Sequence, residues 1–196
     1  MITLLVLGLR PPSQGFGKLW PALVAQWPSY LAFLVSFAYV EVIWLNHIAL
    51  FRRVRRMTIG LSWIDLGILF GAVTVPFPTE VLARAFASGS GHDERVAVAL
   101  YACVAAVMGG PWWGIFTYLS SRPFLLEPGV PMSYVRAQRI RPLTAVVLYA
   151  VCGIGGWFIA PWVGLVCIIA VIFYHALTSE GVHEGPLGRL IRTVRR

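Results

Sequence analysis

The fold is decided by the apolar stretch from Tyr30 to Phe51, which reads YLAFLVSFAYVEVIWLNHIALF. At about 1.5 Å per residue, a helix of this length would cover roughly 33 Å, against a bilayer hydrocarbon core of about 30 Å. The stretch ends against Arg52-Arg53-Val54-Arg55-Arg56, a cluster whose charges are costly to place in lipid. It therefore predicts a membrane-spanning helix, and the rest of the chain is organised around it.

Three hydrogen-bonding side chains lie near the end of this predicted helix: Trp44, Asn46 and His47. Trp44 and His47 are three residues apart and share a helix face, whereas Asn46 points away from that face. Polar groups at membrane depth are expected to face protein or water, so the cluster should contact more than one neighbouring helix. Two roles remain open for it, namely hydrogen bonding between helices of a bundle and a direct part in a permeation path or gate.

The composition of the whole chain is that of a polytopic membrane protein. Of its 196 residues, 58% are hydrophobic and 12% are charged, and the mean hydropathy is +0.76, which excludes an ordinary soluble domain. The net charge of +8 comes from basic clusters at the ends of apolar runs, without the interleaved aromatic residues that nucleic-acid binding uses. We therefore predict a lipid bilayer, and no nucleic acid, as the partner of these charges.

The apolar runs predict a single transmembrane domain over residues 1–196, all-α, with six segments. A partial first span is followed by five full ones. The second of the full spans should be kinked by two prolines, and the last two should form a tight helical hairpin. The predicted spans are 1–9, 30–51, 58–86 with a kink at 76–78, 96–119, 143–159 and 162–177. The connection 120–142 is expected to hold one short helix around Ser133 to Arg139.

The distribution of basic residues predicts the orientation in the membrane. Twelve of the 16 Lys and Arg residues lie in the segments 52–56, 122–141 and 189–196, and the other four lie on the opposite side. Because cytoplasmic loops carry the excess of basic residues, these three segments and the C-terminus are predicted to be cytoplasmic. We expect a multi-pass protein of a cell membrane.

No motif for catalysis, metal binding or a cofactor is recognisable. His92, His175 and His183 have no second ligand at helical spacing, and no nucleotide-binding loop or nucleophile elbow occurs. We therefore predict no enzyme, no metal site and no cofactor. Asp65 and Glu80 are the acids that invite a functional reading, but a capping or snorkelling role is expected for Asp65 and a solvated helix end for Glu80.

Several of these motifs together resemble the transmembrane protein 175 family, the endosomal and lysosomal potassium channels and their prokaryotic relatives. The second span, with Trp44-x-Asn46-His47 followed by Leu50-Phe51-Arg52-Arg53, resembles the family's second helix. Pro76-Phe77-Pro78-Thr79 and the opening Ile2-Thr3-Leu4-Leu5-Val6-Leu7 are also similar to its pattern. The family's hallmark, Arg-x-x-x-Phe-Ser-Asp early in the first helix, is missing from this sequence, and we expect it to belong upstream of Met1.

The resemblance implies a function and an assembly. It implies a potassium-selective, leak-type channel that is a homotetramer of six-helix subunits, with the first helix of each subunit lining a central pore. Leu4 and Leu7 would form the apolar constriction with Thr3 as a polar neighbour, and Trp44, Asn46 and His47 would support the pore helix from behind. Potassium would be the permeant ion.

Two other functional classes remain open at this point. Gly109-Gly110-Pro111 and the glycines at 153, 155 and 156 interrupt two spans in the manner of the broken helices of small secondary transporters. A non-conducting membrane assembly subunit would have the same composition. Ion flux through liposomes containing the protein separates the three classes.

Overall fold

The computed structural model describes residues 18–179, and all regular secondary structure in that range is helical. The predicted partial span 1–9 and the basic tail after 189 lie outside the described residues. In chain order the helices are α1 Leu19–Ala25, α2 Trp27–Phe51, α3 Ile59–Thr74, α4 Pro76–Ser88, α5 Gly91–Ser120, a short 3₁₀ turn Pro123–Leu125, α6 Met132–Phe158 and α7 Pro161–Leu177.

The lengths and composition of these helices confirm the predicted all-α membrane fold. Within residues 18–179, four segments are long and apolar enough to cross a bilayer, namely Phe33–Phe51, Ile59–Ser88, Gly91–Ser120 and Met132–Phe158. The second of these includes both α3 and α4, and α7 is a shorter apolar helix. Large apolar side chains such as Trp63, Phe70 and Val107 are exposed on the outside of the bundle, as expected where the surroundings are lipid or another subunit.

Helix α5 is the central element of the bundle, because α3, α4, α6 and α7 all pack against it. Small residues recur along its buried faces, among them Ala97, Ala102, Ala105 and Gly109. Small side chains let helix backbones approach closely, which is the main source of helix association in membranes, where burial of apolar surface gives no net driving force. The sequence of α5 therefore explains why four helices can surround it.

The predicted proline break separates α3 from α4 at Val75. Pro76 and Pro78 occupy the first turn of α4, where a missing backbone N–H is tolerated. The carbonyl oxygen of Val75 accepts both the backbone N–H of Thr79 at 3.3 Å and its hydroxyl at 2.9 Å, so hydrogen bonding continues across the break. The interruption is thus a local one, and the two helices together have the length of a single span.

Three helices begin earlier in the chain than the sequence predicts. Residues 13–29 were expected to be a connection, but 19–25 form α1 and α2 begins at Trp27. Helix α5 begins at Gly91, within the expected turn, because the hydroxyl of Ser90 accepts the N–H of Asp93 at 3.5 Å and caps it. Helix α6 begins at Met132 and continues through Pro142 into the span predicted from 143. The short helix expected around Ser133 to Arg139 is thus the first part of α6, continuous with the span.

Helices α6 and α7 form the predicted antiparallel hairpin. The N–H groups of Ile159 and Ala160 both donate to the carbonyl oxygen of Gly155, closing the turn. Gly164 lies so close to α6 that a Cβ added to it would be 2.7 Å from the Cα of Gly156 and 2.9 Å from the carbonyl oxygen of Cys152. Only glycine fits at this crossing.

The two described basic segments meet at one end of the bundle. The N–H of Arg55 donates to the carbonyl oxygen of Leu125 at 2.8 Å, and the N–H of Glu127 donates to that of Arg53 at 2.9 Å. Near these bonds, the guanidinium of Arg53 lies 4.8 Å from the ring centre of Tyr134. Segments 52–56 and 122–141 therefore lie on the same side of the bundle, as the count of basic residues requires.

Candidate functional site

The predicted cluster on α2 is joined to α3 by a short hydrogen bond. Nε2 of His47 lies 2.7 Å from Oδ1 of Asp65, with His47 near the end of α2 and Asp65 in the second turn of α3. The indole ring of Trp44 stacks on the imidazole ring at 5.4 Å between centres and 9° between planes, and Phe51 contacts the imidazole ring from the next turn, at 4.6 Å between ring centres. The imidazole of His47 is therefore held by three neighbours.

Asn46 contacts a different part of the bundle. Its side-chain oxygen accepts the hydroxyl hydrogen of Ser179 at 3.0 Å, just beyond the end of α7. Residues 46 and 47 are consecutive on a helix and therefore point in different directions, which is why one meets α3 and the other meets the end of α7. The cluster therefore contacts helix α3 and the residues just after α7, whereas contact with more than one neighbouring helix was expected.

The structure corrects the role expected for Asp65. The helix cap of α3 is Thr58, whose hydroxyl oxygen accepts the N–H of Leu61 at 3.3 Å, and Asp65 lies beyond the first turn, too far along the helix to cap it. The carboxylate of Asp65 is also not extended towards water at the interface, because it is bound to His47 and only 18% exposed. A sequence window could not reveal this, because the partner is on another helix. Glu80, expected at a solvated helix end, lies in the second turn of α4, where its carboxylate accepts from Arg84 on the exposed surface at 2.7 Å.

The His47 and Asp65 pair lies at the margin of the described bundle. Their side chains are 16% and 18% exposed, and the stacked Trp44 is 48% exposed. An ionisable pair in this position at membrane depth is unfavourable against lipid tails. The exposed edge of the cluster is therefore suited to contact with protein or water.

A second polar contact between helices was not identified from the sequence. The hydroxyl of Ser36 on α2 donates to the hydroxyl oxygen of Thr79 on α4 at 2.6 Å, and Thr79 in turn donates to Val75 at the break between α3 and α4. Ser36 is fully buried and Thr79 is 6% exposed. The Pro-Phe-Pro-Thr motif thus has a physical role, because its threonine fastens the broken helix to α2.

The predicted roles of the site residues in a pore stay predictions. Thr3, Leu4 and Leu7 lie outside the described residues, so their assignment to a pore constriction stays a prediction. The role of Trp44, Asn46 and His47 as supports of a pore helix also stays a prediction, although their contacts are now defined.

Comparison with known proteins identifies the family. The family model described as "Endosomal/lysosomal potassium channel TMEM175" matches residues 1–76. A potassium channel of Streptomyces collinus is 37% identical over 141 residues, covering 71% of this chain and 68% of the relative. A potassium channel of Chamaesiphon minutus is 32% identical over 189 residues, covering 91% of this chain and 88% of the relative.

A solved structure extends the similarity to three dimensions. The crystal structure of a lysosomal potassium-selective channel TMEM175 homolog from Chamaesiphon minutus superposes with a TM-score of 0.75 at 28% sequence identity. The superposition covers 91% of this chain and 90% of that chain, so it includes both the motif-bearing helices and the half of the chain that the motifs did not reach. The chain belongs to the TMEM175 family.

Proposed function

We propose that this chain is the subunit of a potassium-selective, leak-type cation channel. The observation that carries the proposal is the superposition on a potassium-selective channel over nine-tenths of both chains, at an identity that goes with a shared fold and a shared helix order. Two relatives named potassium channels, each more than 30% identical to this chain, support the same function. Potassium is the permeant ion, and the proposed activity involves no cofactor and no catalysed reaction.

The proposed assembly is a homotetramer whose first helices line a central pore. Its support among the described residues is the exposed edge of the α2 cluster, where Trp44, His47 and Asp65 present polar groups at membrane depth. A helix packed on this edge would remove the remaining exposure of the pair, and the first helix of a subunit is the segment proposed for that position. Leu4 and Leu7 would then form the constriction, with Thr3 beside it.

The described helices favour a channel over a small secondary transporter. The glycine and proline residues that suggested broken helices lie inside continuous ones: α5 runs unbroken through Gly109-Gly110-Pro111, and α6 runs unbroken through Gly153, Gly155 and Gly156. Broken helices at the membrane midplane are what transporters use to bind substrate and coupling ions. These glycine and proline residues therefore give no support to a transporter mechanism in this chain.

The proposed location is a prokaryotic cell membrane, with the C-terminus in the cytoplasm. Basic segments 52–56 and 122–141 are joined at one end of the bundle, and α7 ends at that same end, where the guanidinium of Arg141 donates to the carbonyl oxygen of Thr178 at 2.6 Å. Since the excess of basic residues marks the cytoplasmic side, this end is assigned to the cytoplasm.

Ion flux in liposomes tests the proposed function. Purified protein reconstituted with a potassium gradient should carry potassium down that gradient with no coupled ion or substrate, and sodium much more slowly. Flux that requires a coupling ion would indicate a transporter instead. Assembled protein that passes no ion under any gradient would contradict the channel and favour a non-conducting assembly subunit.

Substitution of the constriction residues tests the proposed pore. A ring of leucines excludes water from a narrow pore because water there makes too few hydrogen bonds, so Leu4→Asn or Leu7→Asn should raise leak and reduce discrimination among monovalent cations. Flux is normalised to assembled protein, because a substitution on a lipid-facing leucine would change insertion without changing flux per channel. Variants that assemble and leave both flux and selectivity unaltered would show that the first helix does not line the pore.

A further inference from the structure

A cavity of about 120 Å³, partly open to the surroundings, lies between α2 and the group formed by α5, α6 and the end of α7. It extends from the basic end of the bundle, where Asn46, Gln138 and Arg141 line it, to the level of Tyr39 and Tyr149 further along α2 and α6. At that deeper level the rings of the two tyrosines are 6.5 Å apart. The cavity is separate from the His47 and Asp65 pair, neither of which lines it.

Buried polar atoms in the cavity wall have no partner within the described part of the chain. The hydroxyl of Tyr149, a residue that is 1% exposed, makes no hydrogen bond to residues 18–179, and neither does Nε2 of His175. The two rings stack at 6.4 Å between centres, so they form one surface. Leaving such groups unpaired in a protein interior costs stability, so a molecule in the adjoining cavity that reached them would be stabilised by new hydrogen bonds.

The polar part of the wall is rich in hydrogen-bond donors and carries one positive charge. Arg141 donates to the carbonyl and hydroxyl oxygens of Thr178 and to the side-chain oxygen of Gln138, but these partners are neutral. No carboxylate lines the cavity, and no ion pair of Arg141 is found among residues 18–179. The side-chain oxygen of Asn46 accepts from Ser179, and the side-chain NH₂ group of Asn46 adds further donors to the wall.

The rest of the wall is apolar and partly aromatic, with Val42, Leu50, Met108, Trp112 and Phe116 among its members. The rings of Trp112 and Phe116 stack at 6.5 Å. A cavity of this volume has room for several water molecules, and water could satisfy Tyr149 and His175. Water would neither neutralise Arg141 nor gain hydrogen bonds along the apolar wall.

From these features we infer that the cavity is a binding site for an organic anion with an apolar body. The anionic group pairs with Arg141 and accepts hydrogen bonds from the donors around it, and the apolar body lies against the side of α5. Such an anion has two sources, a single-chain amphiphile from the membrane or a water-soluble aromatic or aliphatic acid. The two sources present the same chemistry to the site and differ in their apolar bodies.

Direct binding tests the inference without measuring ion flux, so its outcome is independent of the proposed channel function. Purified protein in a non-ionic detergent is titrated with decanoate, with benzoate and with decyltrimethylammonium, a cation with the same chain length as decanoate. Decanoate or benzoate should bind saturably at one molecule per subunit, and the cation should not. Binding of decanoate alone identifies a membrane amphiphile as the source, and binding of benzoate identifies a soluble acid.

Four variants locate the site. Arg141→Gln should weaken anion binding about tenfold or more, since charge-assisted hydrogen bonds are the strong ones, and Tyr149→Phe should weaken it roughly two- to tenfold. Ala145→Phe places a ring in the cavity and should abolish binding. Arg139→Gln is the matched control, because that arginine lies two residues from Arg141 on the exposed surface, and it should bind as the unmodified protein does.

The inference is overturned if neither anion binds saturably, if the cation binds as tightly, or if Arg139→Gln weakens binding as much as Arg141→Gln. Arg141 also holds the end of α7 through Thr178, so its substitution can destabilise the fold. Tyr149→Phe and Ala145→Phe leave those bonds in place, and full anion binding by both folded variants would equally exclude the site.

Discussion

The bond between His47 and Asp65 makes a measurable prediction for the stability of the bundle. Hydrogen bonds between membrane helices contribute about 0.6 kcal/mol on average and up to about 1.7 kcal/mol, and a charged partner roughly doubles such values. The distance of 2.7 Å is that of a strong bond, and the two side chains are 16% and 18% exposed, so solvent weakens it only in part. We expect a coupling free energy of about 1–2 kcal/mol, which is a factor of roughly 5–30 in the folding equilibrium.

A double-mutant cycle isolates this coupling. His47→Ala, Asp65→Ala and the double variant are unfolded by adding a denaturing detergent to mixed micelles, with circular dichroism as the measurement. The matched control is the pair Glu80 and Arg84, which has the same 2.7 Å distance but lies on the exposed surface of α4, with side chains 30% and 61% exposed. A surface pair of this spacing is expected to couple by about 0.3–0.5 kcal/mol.

The same variants separate a supporting role from a place in the pore wall. If His47 supports the pore helix from behind, then His47→Ala should lower the yield of assembled protein or the open probability and leave the ratio of potassium to sodium flux nearly unchanged. A coupling no larger than that of the surface pair would refute the energetic argument. A large change in selectivity would move His47 into the permeation path.

Three further predictions follow from the described contacts. In a cysteine-free background, a membrane-impermeant thiol reagent applied to intact cells should label a cysteine at Arg55 poorly and one at His92 readily, and labelling at Arg55 would reverse the orientation. Gly164→Ala should lower the free energy of unfolding of the bundle by about 1–3 kcal/mol, because backbone atoms block the new methyl group. Gly110→Ala, which has open space around it, should leave the free energy of unfolding unchanged. Thr79→Val should destabilise the bundle by about 1–3 kcal/mol, since it leaves a buried serine hydroxyl without its acceptor, and removing that hydroxyl as well should recover part of the loss.

The features predicted correctly from the sequence are those determined by neighbouring residues. The break at Pro76 and the turn at Ala160-Pro161 follow from local backbone chemistry, because proline lacks a donor and favours the first turn of a helix. The first turns of α6 were predicted only as a separate short helix around Ser133 to Arg139, because hydropathy places a charged segment outside the span. A helix that leaves the membrane carries charged residues, as α6 does at Arg136 and Arg139, and hydropathy does not distinguish such a segment from a loop.

The features that the sequence could not supply depend on partners far along the chain. The sequence predicts a capping or snorkelling role for Asp65, because its nearest charged neighbours in sequence are the arginines that precede α3. Its partner in the structure is instead His47, 18 residues away. Ser36 and Thr79 are 43 residues apart. The sequence does not distinguish Tyr149 from the other large side chains of its apolar run. The packing of α2, α6 and α7 makes it part of the cavity wall.

Helix α2 connects these separate features, because its two faces belong to different environments. One face carries Trp44 and His47 at the margin of the bundle, where the pore helix is proposed to pack, and another carries Tyr39 and Asn46 in the wall of the cavity. A rigid helix cannot shift on one face and stay fixed on the other. An anion that moves α2 within the bundle therefore also moves the cluster proposed to support the pore, whereas an anion that fits the existing cavity leaves both in place. If the cavity binds decanoate or benzoate and the chain conducts potassium, the effect of that anion on flux distinguishes these two cases, and Ala145→Phe should remove the effect in either direction.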